Sequence, residues 1–266
     1  MTQATVEYLA AAEASGLLSR LDDRPMVAGG YDDPLTGERL CFIEYCDPVL
    51  LADSERMAQV TTELCRRFPQ AIGILARVPA HVRLSAPWRV TVTYIRLPDD
   101  APGPDPGAVH VVPATAGYDE VITGWLVEAL LAGYGSRAGE VDAGAVVAVT
   151  RDMLAAPDRR SYVALRDGEP VGHVTLFRDA TDEVTGEVVV DLFDVLVEPA
   201  TGADLSTTTA ALVAAAVREA REVGRPLQGN VLHRADDEQA GQRVLDSLAR
   251  RGWLANHAMW RRPACG

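Results

Sequence analysis

Lysine is absent from the 266-residue sequence, and all 25 basic residues are arginine. We attribute this absence to genomic composition rather than to chemistry. With 38 acidic residues the formal net charge is −13, which disfavours nonspecific nucleic-acid binding, because such binding needs clustered cations that displace counterions. We therefore expect no nucleic-acid partner. The acidic balance promotes solubility and would also suit a cationic, amine-rich small molecule.

Long apolar runs are also missing, since no stretch reaches the roughly 18 residues that span a bilayer. The segment Met1–Glu7 lacks a basic region ahead of an apolar stretch, so we expect no signal peptide and no membrane partner. Hydrophobic residues make up 48% of the chain, which is enough for a buried core. The sequence thus predicts a soluble, cytoplasmic globular protein.

Metal-binding patterns are absent from the sequence. None of the four cysteines forms a CxxC pair, and the five histidines show no ligand spacing on a shared helix. Cys41 and Cys46 flank an apolar, strand-like run, and we expect them to be reduced core residues. No metal cofactor is expected.

A break in composition divides the chain. Residues 98–107 contain four prolines and two glycines, which excludes a helix or a central strand. We expect an N-terminal α/β domain over residues 1–98, a linker over 99–107 and a second domain over 108–266. In the first domain the patterns predict helices over 4–21 and 50–68, and strands over 39–45, 71–78 and 89–97.

The second domain has a sharper pattern. Asp167-Gly168 predicts a tight hairpin between two strands. Gly224 and Gly252 each follow a helical pattern and predict helix ends. The predicted order is β-α-α-β-β-β-α-β-α-β, with strands at 109–113, 161–165, 170–177, 187–197, 227–232 and 254–261, and helices at 118–132, 143–156, 206–223 and 239–251.

This order resembles the GNAT acyltransferases, the acetyl-CoA-dependent N-acetyltransferase-like family. The hairpin is similar to that family's second and third strands. The run Asp194–Pro199 resembles its fourth strand, which ends in a Val-x-Pro step, and Leu245–Trp253 resembles the helix that ends in Gly-Phe. The resemblance covers about residues 109–262. It implies a mixed α/β fold (an α+β mixed sheet) with an additional N-terminal α/β domain.

The resemblance also implies acetyl-CoA or another acyl-CoA as co-substrate. Its thioester arm would lie along Val195, Leu196 and Val197, and its pyrophosphate at the helix N-terminus that follows, where unpaired N–H groups bind anions. The family's basic and glycine-rich loop has eroded here. Gly202 is the glycine that remains, Ser206, Thr207 and Thr208 offer hydrogen bonds, and Asp204 would repel phosphate or simply cap the helix.

Four residues are candidates for catalysis. Asp191 and Asp194 lie on the predicted fourth strand, where burial would raise the pKa of a carboxyl group towards that of a useful base. Strict alternation would place them on opposite faces. Asn230 resembles an asparagine that some relatives use to orient the acceptor, and His173 lies mid-strand. Each also has a purely structural interpretation. The family's tyrosine acid is replaced by Leu248.

The sequence therefore predicts an acyl-CoA-dependent N-acyltransferase acting on a small amine. Two alternatives remain. The donor could be an acyl or aminoacyl group on a carrier protein or tRNA, or the fold could be noncatalytic and serve binding. A further alternative treats the N-terminal segment as a degenerate second copy of the same fold. The sequence leaves open whether the protein forms a homodimer.

Overall fold

The computed structural model describes residues 4–135, 141–199, 204–234 and 237–264. The segment before the proline-rich stretch forms three helices and five strands: α1 (Val6–Ala14), β1 (Leu18–Leu21), β2 (Arg24–Asp32), β3 (Arg39–Cys46), α2 (Pro48–Ala52), α3 (Ser54–Arg67), β4 (Gly73–Pro79) and β5 (Arg89–Leu97).

The segment after it forms six strands and four α-helices: β6 (His110–Pro113), α4 (Asp119–Gly135), α5 (Ala143–Ala155), β7 (Arg159–Arg166), β8 (Glu169–Asp182), β9 (Glu187–Val197), α6 (Leu205–Glu222), β10 (Leu227–Leu232), α7 (Glu238–Ala249) and β11 (Leu254–Pro263). Their order matches the predicted one. The hairpin between β7 and β8 turns at Asp167 and Gly168, both with positive φ, as the Asp-Gly pair predicts.

All eleven strands join one sheet in the order β1-β2-β3-β4-β11-β5-β10-β9-β8-β7-β6. Among the described strands two neighbouring pairs are parallel, β3 with β4 and β9 with β10. The other pairs are antiparallel. Strand β5 lies between β10 and β11, and β11 lies between β5 and β4. Each segment of the chain therefore places one strand inside the part of the sheet built by the other.

The two faces of the sheet differ in their cover. Helices α2, α3 and α6 pack on one face, where they bury the apolar side chains of alternate strand positions. Helix α4 packs on the other face over β7, where Ile122 and Leu126 contact Val163. The middle of this second face, over strands β3 to β9, carries a groove.

Two expectations for the first segment are wrong. The predicted helix over residues 4–21 ends at Ala14, because Gly16 has φ +69 and the chain turns there into β1. The predicted helix over 50–68 divides at Asp53, whose carboxylate caps α3 by accepting from the amides of Glu55 and Arg56. Strand β2 was not predicted, and its sequence contains Pro25, Gly29 and Gly30, which weaken a strand pattern.

In the part of the chain that the structure describes, no helix combines the length and the apolar character needed to cross a membrane.

Candidate functional site

The candidate site lies where the parallel strands β9 and β10 separate. They pair at Leu227 with Val190 and at Gln228 with Asp191, and no further pair joins them among the described residues. Beyond this point the side-chain amide of Asn230 donates to the carbonyl of Phe193 at 3.4 Å. We call the space beyond Asp191 and Gln228 the C-terminal gap.

Phe193 is an extra residue in β9. Thr175 pairs with Asp194, Leu176 with Leu192 and Phe177 with Asp191, so the register shifts by one across Phe193. Such a bulge reverses the alternation of side chains beyond it. Asp191 and Asp194 therefore lie on the same face of the sheet, and the opposite faces predicted from strict alternation are wrong.

Asp191 lines a groove of about 290 Å³ on the face opposite α6. Burial raises the pKa of its carboxyl group to about 6. Its Oδ1 atom is buried and has no hydrogen-bond partner among the described residues. A carboxyl group in this condition is ionised near neutral pH and still able to accept a proton, which suits a general base.

His173 and Asp194 belong to a buried polar cluster beside the gap. The His173 side chain is fully buried, stacks on Trp125 at 5.4 Å between ring centroids, and has its Nδ1 3.2 Å from the Thr175 hydroxyl. Its Nε2 lies 3.5 Å from Asp194 Oδ2. The two atoms do not form a hydrogen bond, and both are buried without a hydrogen-bond partner among the described residues. The cluster fixes α4 on the sheet next to the gap.

The backbone of Val195, Leu196 and Val197 forms the β9 side of the gap. The amide of Glu198 donates to the Val171 carbonyl at 2.9 Å, on the β8 side. Because peptide groups alternate along a strand, those of Val195 and Val197 point away from β8 and towards the gap. This edge can pair with an extended ligand.

The N-terminus of α6 is capped from within the chain. The Asp204 carboxylate accepts from the amides of Ser206 and Thr207 at 2.9 and 3.2 Å, and from the Thr207 hydroxyl at 2.9 Å. These bonds lower the pKa of Asp204. Thr208 is buried, and Gly202 lies outside the described residues. An anion arriving here would meet a carboxylate already bound to the first-turn amides.

Sequence patterns did not point to the other groove residues. Tyr94 of β5 and His257 of β11 stack with centroids 4.5 Å apart. Burial, with the nearby Arg77, lowers the pKa of His257 to about 3, so its ring is neutral. Arg77 donates to Asp182 at 2.8 Å. These residues meet because β5 and β11 exchange places, and no local pattern specifies such a long-range pairing.

Within the described ranges, no group of three or more His, Cys, Asp or Glu side chains is placed to hold a metal ion.

No protein-family model and no curated protein sequence matches this chain. Among solved structures, a GCN5-related N-acetyltransferase from Sphaerobacter thermophilus is 13% identical, with a TM-score of 0.52 over 91% of this chain and 77% of its own. A GCN5-related N-acetyltransferase from Kribbella flavida is 14% identical, with a TM-score of 0.49 over 97% and 94% of the two chains. A functionally unknown protein from Staphylococcus epidermidis has a TM-score of 0.47 at 11% identity over 88% and 92%. The similarity to the Sphaerobacter thermophilus structure shows the fold: this chain has the mixed sheet of the GNAT acyltransferases, as the sequence predicted.

Proposed function

We propose that this protein is an acyltransferase that moves an acyl group from an acyl-CoA thioester to the amine of a small molecule. The observation that supports the proposal is the groove-facing Asp191 carboxyl, which lies at the point where β9 and β10 separate. An open strand edge beside a carboxyl with a raised pKa provides both a place for an extended thioester and a base for the amine.

In this proposal the β9 edge binds the thioester arm in an extended form. Val197 lies six residues from Asp191, about 20 Å along the strand, so its N–H binds the arm near the end of β9. A backbone N–H nearer Asp191 polarises the thioester carbonyl, a role that needs only a fixed backbone donor. Asn230 bridges the two strands through the Phe193 carbonyl and fixes the distance between them there. His173 and Asp194 act as positioning residues, because they fix α4 beside the gap.

Asp191 removes the proton from the attacking amine. The amine nitrogen forms a bond to the thioester carbon, the carbon–sulfur bond breaks, and the sulfur leaves with the electron pair. The proton passes to the Asp191 carboxylate, which can accept it because its pKa is raised to about 6. The Asp191 carboxyl then returns this proton to the leaving thiolate, which regenerates the base, and the products are an amide and a thiol.

The fit to CoA is partial. The β9 edge suits the pantetheine arm, whereas Asp204 occupies the amides that would otherwise bind the diphosphate. This observation favours a second candidate, in which the donor thioester is presented without a diphosphate at this position, as on a carrier protein. A noncatalytic role in binding is the third reading. No step of the chemistry above depends on the diphosphate.

A donor titration tests these candidates. A ligand that binds the native state raises the melting temperature, with a stabilisation of about 2.7 kcal/mol at a hundredfold excess over Kd. We expect acetyl-CoA and acetyl-pantetheine, which lacks the diphosphate, to bind with similar affinity. Stabilisation by neither compound at millimolar concentration would contradict the proposal and support the noncatalytic reading.

The Asp204→Asn variant sharpens this test. Asparagine keeps the helix cap but removes the charge, so acetyl-CoA should bind about fivefold more tightly, as expected for the loss of one like-charge repulsion near the surface. Binding of acetyl-pantetheine should not change. Asp142→Asn is the matched control, since Asp142 caps α5 through the amides of Gly144 and Ala145 in the same way. An equal response of both variants would show that Asp204 does not select the donor.

A further inference from the structure

The groove that contains Asp191 continues into a second cavity on the same face of the sheet. The second cavity has a volume of about 250 Å³, and Phe42, Tyr94 and Met259 line both. One elongated space therefore runs from Asp191 and Gln228 across β5 and β11 towards β2. Tyr94 and Asp191 lie on strands separated by β10, which corresponds to about 10 Å at the usual spacing of strands.

The lining of this elongated groove is acidic. Six carboxylates face two guanidinium groups, and both of these are already paired. Arg77 is bound to Asp182 at 2.8 Å and Arg261 to Glu38 at 2.8 Å. The remaining carboxylates, which include Asp191, attract a cation rather than an anion.

Two buried polar atoms face the groove without a partner among the described residues. One is Asp191 Oδ1, and the other is Nδ1 of His257, whose side chain is 5% exposed. Because burial holds the imidazole neutral, one of its two ring nitrogens carries a lone pair that accepts a hydrogen bond. A ligand that fits here therefore brings an N–H donor to Asp191, and it can pair with the His257 ring in either tautomer.

The far part of the groove is aromatic. Tyr31, Tyr94 and Tyr134 line it together with Phe42, whose ring lies 6.2 Å from that of Tyr31. Burial and Asp33 raise the pKa of Tyr31 to about 12, so the phenol stays neutral. Neutral aromatic rings beside carboxylates bind ammonium groups through cation–π contacts.

From these observations we propose that the groove binds an elongated diamine, with one amine at Asp191 and a second, cationic nitrogen among the tyrosines near Tyr94. The diamine proposal takes the role of Asp191 as the base from the proposed function, and it adds the chemical class of the acceptor. A simple monoamine would satisfy only one end of the groove.

Calorimetry with the full chain, without any thioester, tests the proposal. The probes are diaminobutane, diaminoheptane and diaminodecane, each compared with the monoamine of equal length. We expect diaminoheptane to bind about tenfold more tightly than heptylamine, which is the range of one partly desolvated cation–π contact. Equal affinities for the diamine and the monoamine, or no binding of either, would overturn the proposal. This comparison needs no variant.

Variants then locate the second nitrogen. Tyr94→Leu should abolish the preference for the diamine, whereas Tyr94→Phe, which keeps the ring, should retain it. Tyr134→Leu provides an independent variant near the end of α4 and should weaken the preference. A preference that survives both leucine substitutions in folded protein would overturn the assignment. These binding measurements contain no acyl donor. If the diamine binds but a separate assay detects no acyl transfer, the proposed function is contradicted and the diamine site is not.

Discussion

The described strands include two parallel pairs, and the space beyond each pair is filled to a different extent. In the first segment β3 and β4 pair as far as Ile43 and Ala76, and the space beyond them holds a cavity of only about 20 Å³. We call this the N-terminal gap. The groove of about 290 Å³ reaches Asp191 and Gln228 at the start of the C-terminal gap, and Glu44 and Arg77 of the first pair line it as well. The N-terminal gap is thus nearly closed, whereas the groove lies open above both pairs.

Side chains from distant parts of the chain account for the difference. In the N-terminal gap the Tyr8 hydroxyl donates to Glu44 at 2.8 Å, and Arg77 binds Asp182 from the end of β8. Val184 is buried there, and its carbonyl accepts from the Thr5 amide. The comparison shows that side chains fill the space between the separated strands of the first pair. It supports placing the chemistry at the second pair.

The largest expected effect on stability comes from removing the Arg77–Asp182 ion pair, which fills part of the N-terminal gap. Both side chains of the Arg77–Asp182 pair are nearly buried, at 13% and 8% exposure. Arg77→Ala leaves the Asp182 carboxylate buried without its partner, and we expect a loss of about 3–5 kcal/mol in the free energy of unfolding. Urea denaturation measures it.

Arg39→Ala is the control for this substitution. Arg39 pairs with Asp32 at the surface, where both side chains are more than half exposed. We expect no measurable change in the free energy of unfolding, because solvent screens such an exposed ion pair. An effect of Arg77→Ala no larger than that of Arg39→Ala would mean that the filled gap does not support the fold.

A smaller effect comes from His257, which lines both the N-terminal gap and the groove. Its pKa is about 3 in the folded state and about 6.5 in the unfolded state. As pH falls below 6.5, the unfolded state binds a proton on this histidine that the folded state does not bind. The free energy of unfolding therefore falls. At pH 4 this loss is about 3 kcal/mol.

His257→Phe keeps an aromatic ring beside Tyr94 and cannot titrate, so this variant should resist acid better than the wild type. Urea unfolding at pH 7 and pH 4 measures the difference. His81→Phe, at an exposed position, should show the acid sensitivity of the wild type. If His257→Phe loses as much stability as the wild type between the two pH values, His257 is not the buried neutral group described here.

The smallest expected stability effect concerns Asp191 in the open groove. Its pKa is raised to about 6, so the folded state binds the proton more tightly than the unfolded state does, and stability falls as pH rises from about 4 to 6. Asp191→Asn removes this penalty. We expect the stability of the variant relative to the wild type to rise by about 2 kcal/mol between pH 4 and pH 7. Asp167→Asn, in the exposed hairpin turn, should show no such pH dependence, and a parallel response of the two variants would contradict the burial of Asp191.

Local signals in the sequence predicted the second segment well. The bounds of β9 and β10 coincide with the predicted strands, because each has a strong apolar pattern between turn residues. The turn at Asp167 and Gly168 follows from the conformational preference of that pair. In the first segment a helix and a strand joined at Gly16 share one apolar pattern, which led to a single predicted helix.

The geometry of the site could not be predicted in the same way. The bulge at Phe193 changes which face Asp194 occupies, and it leaves no clear mark in the local pattern. Asp191 and His173 were identified as candidates from their residue types, whereas Tyr94 and His257 were not. Those two meet in the groove through the exchange of β5 and β11, and such long-range pairing is decided by the whole fold.

The central claim is that Asp191 acts as the base at the open gap, and the pH dependence of acyl transfer tests it most directly. With one amine acceptor and acetyl-pantetheine as donor, kcat/KM of the wild type should show an ionisation near pH 6 that Asp191→Asn lacks, and the variant should be about 100-fold slower above pH 7. The acceptor's own ionisation is common to both proteins and cancels in the comparison. A variant with the rate and the pH profile of the wild type would contradict the account.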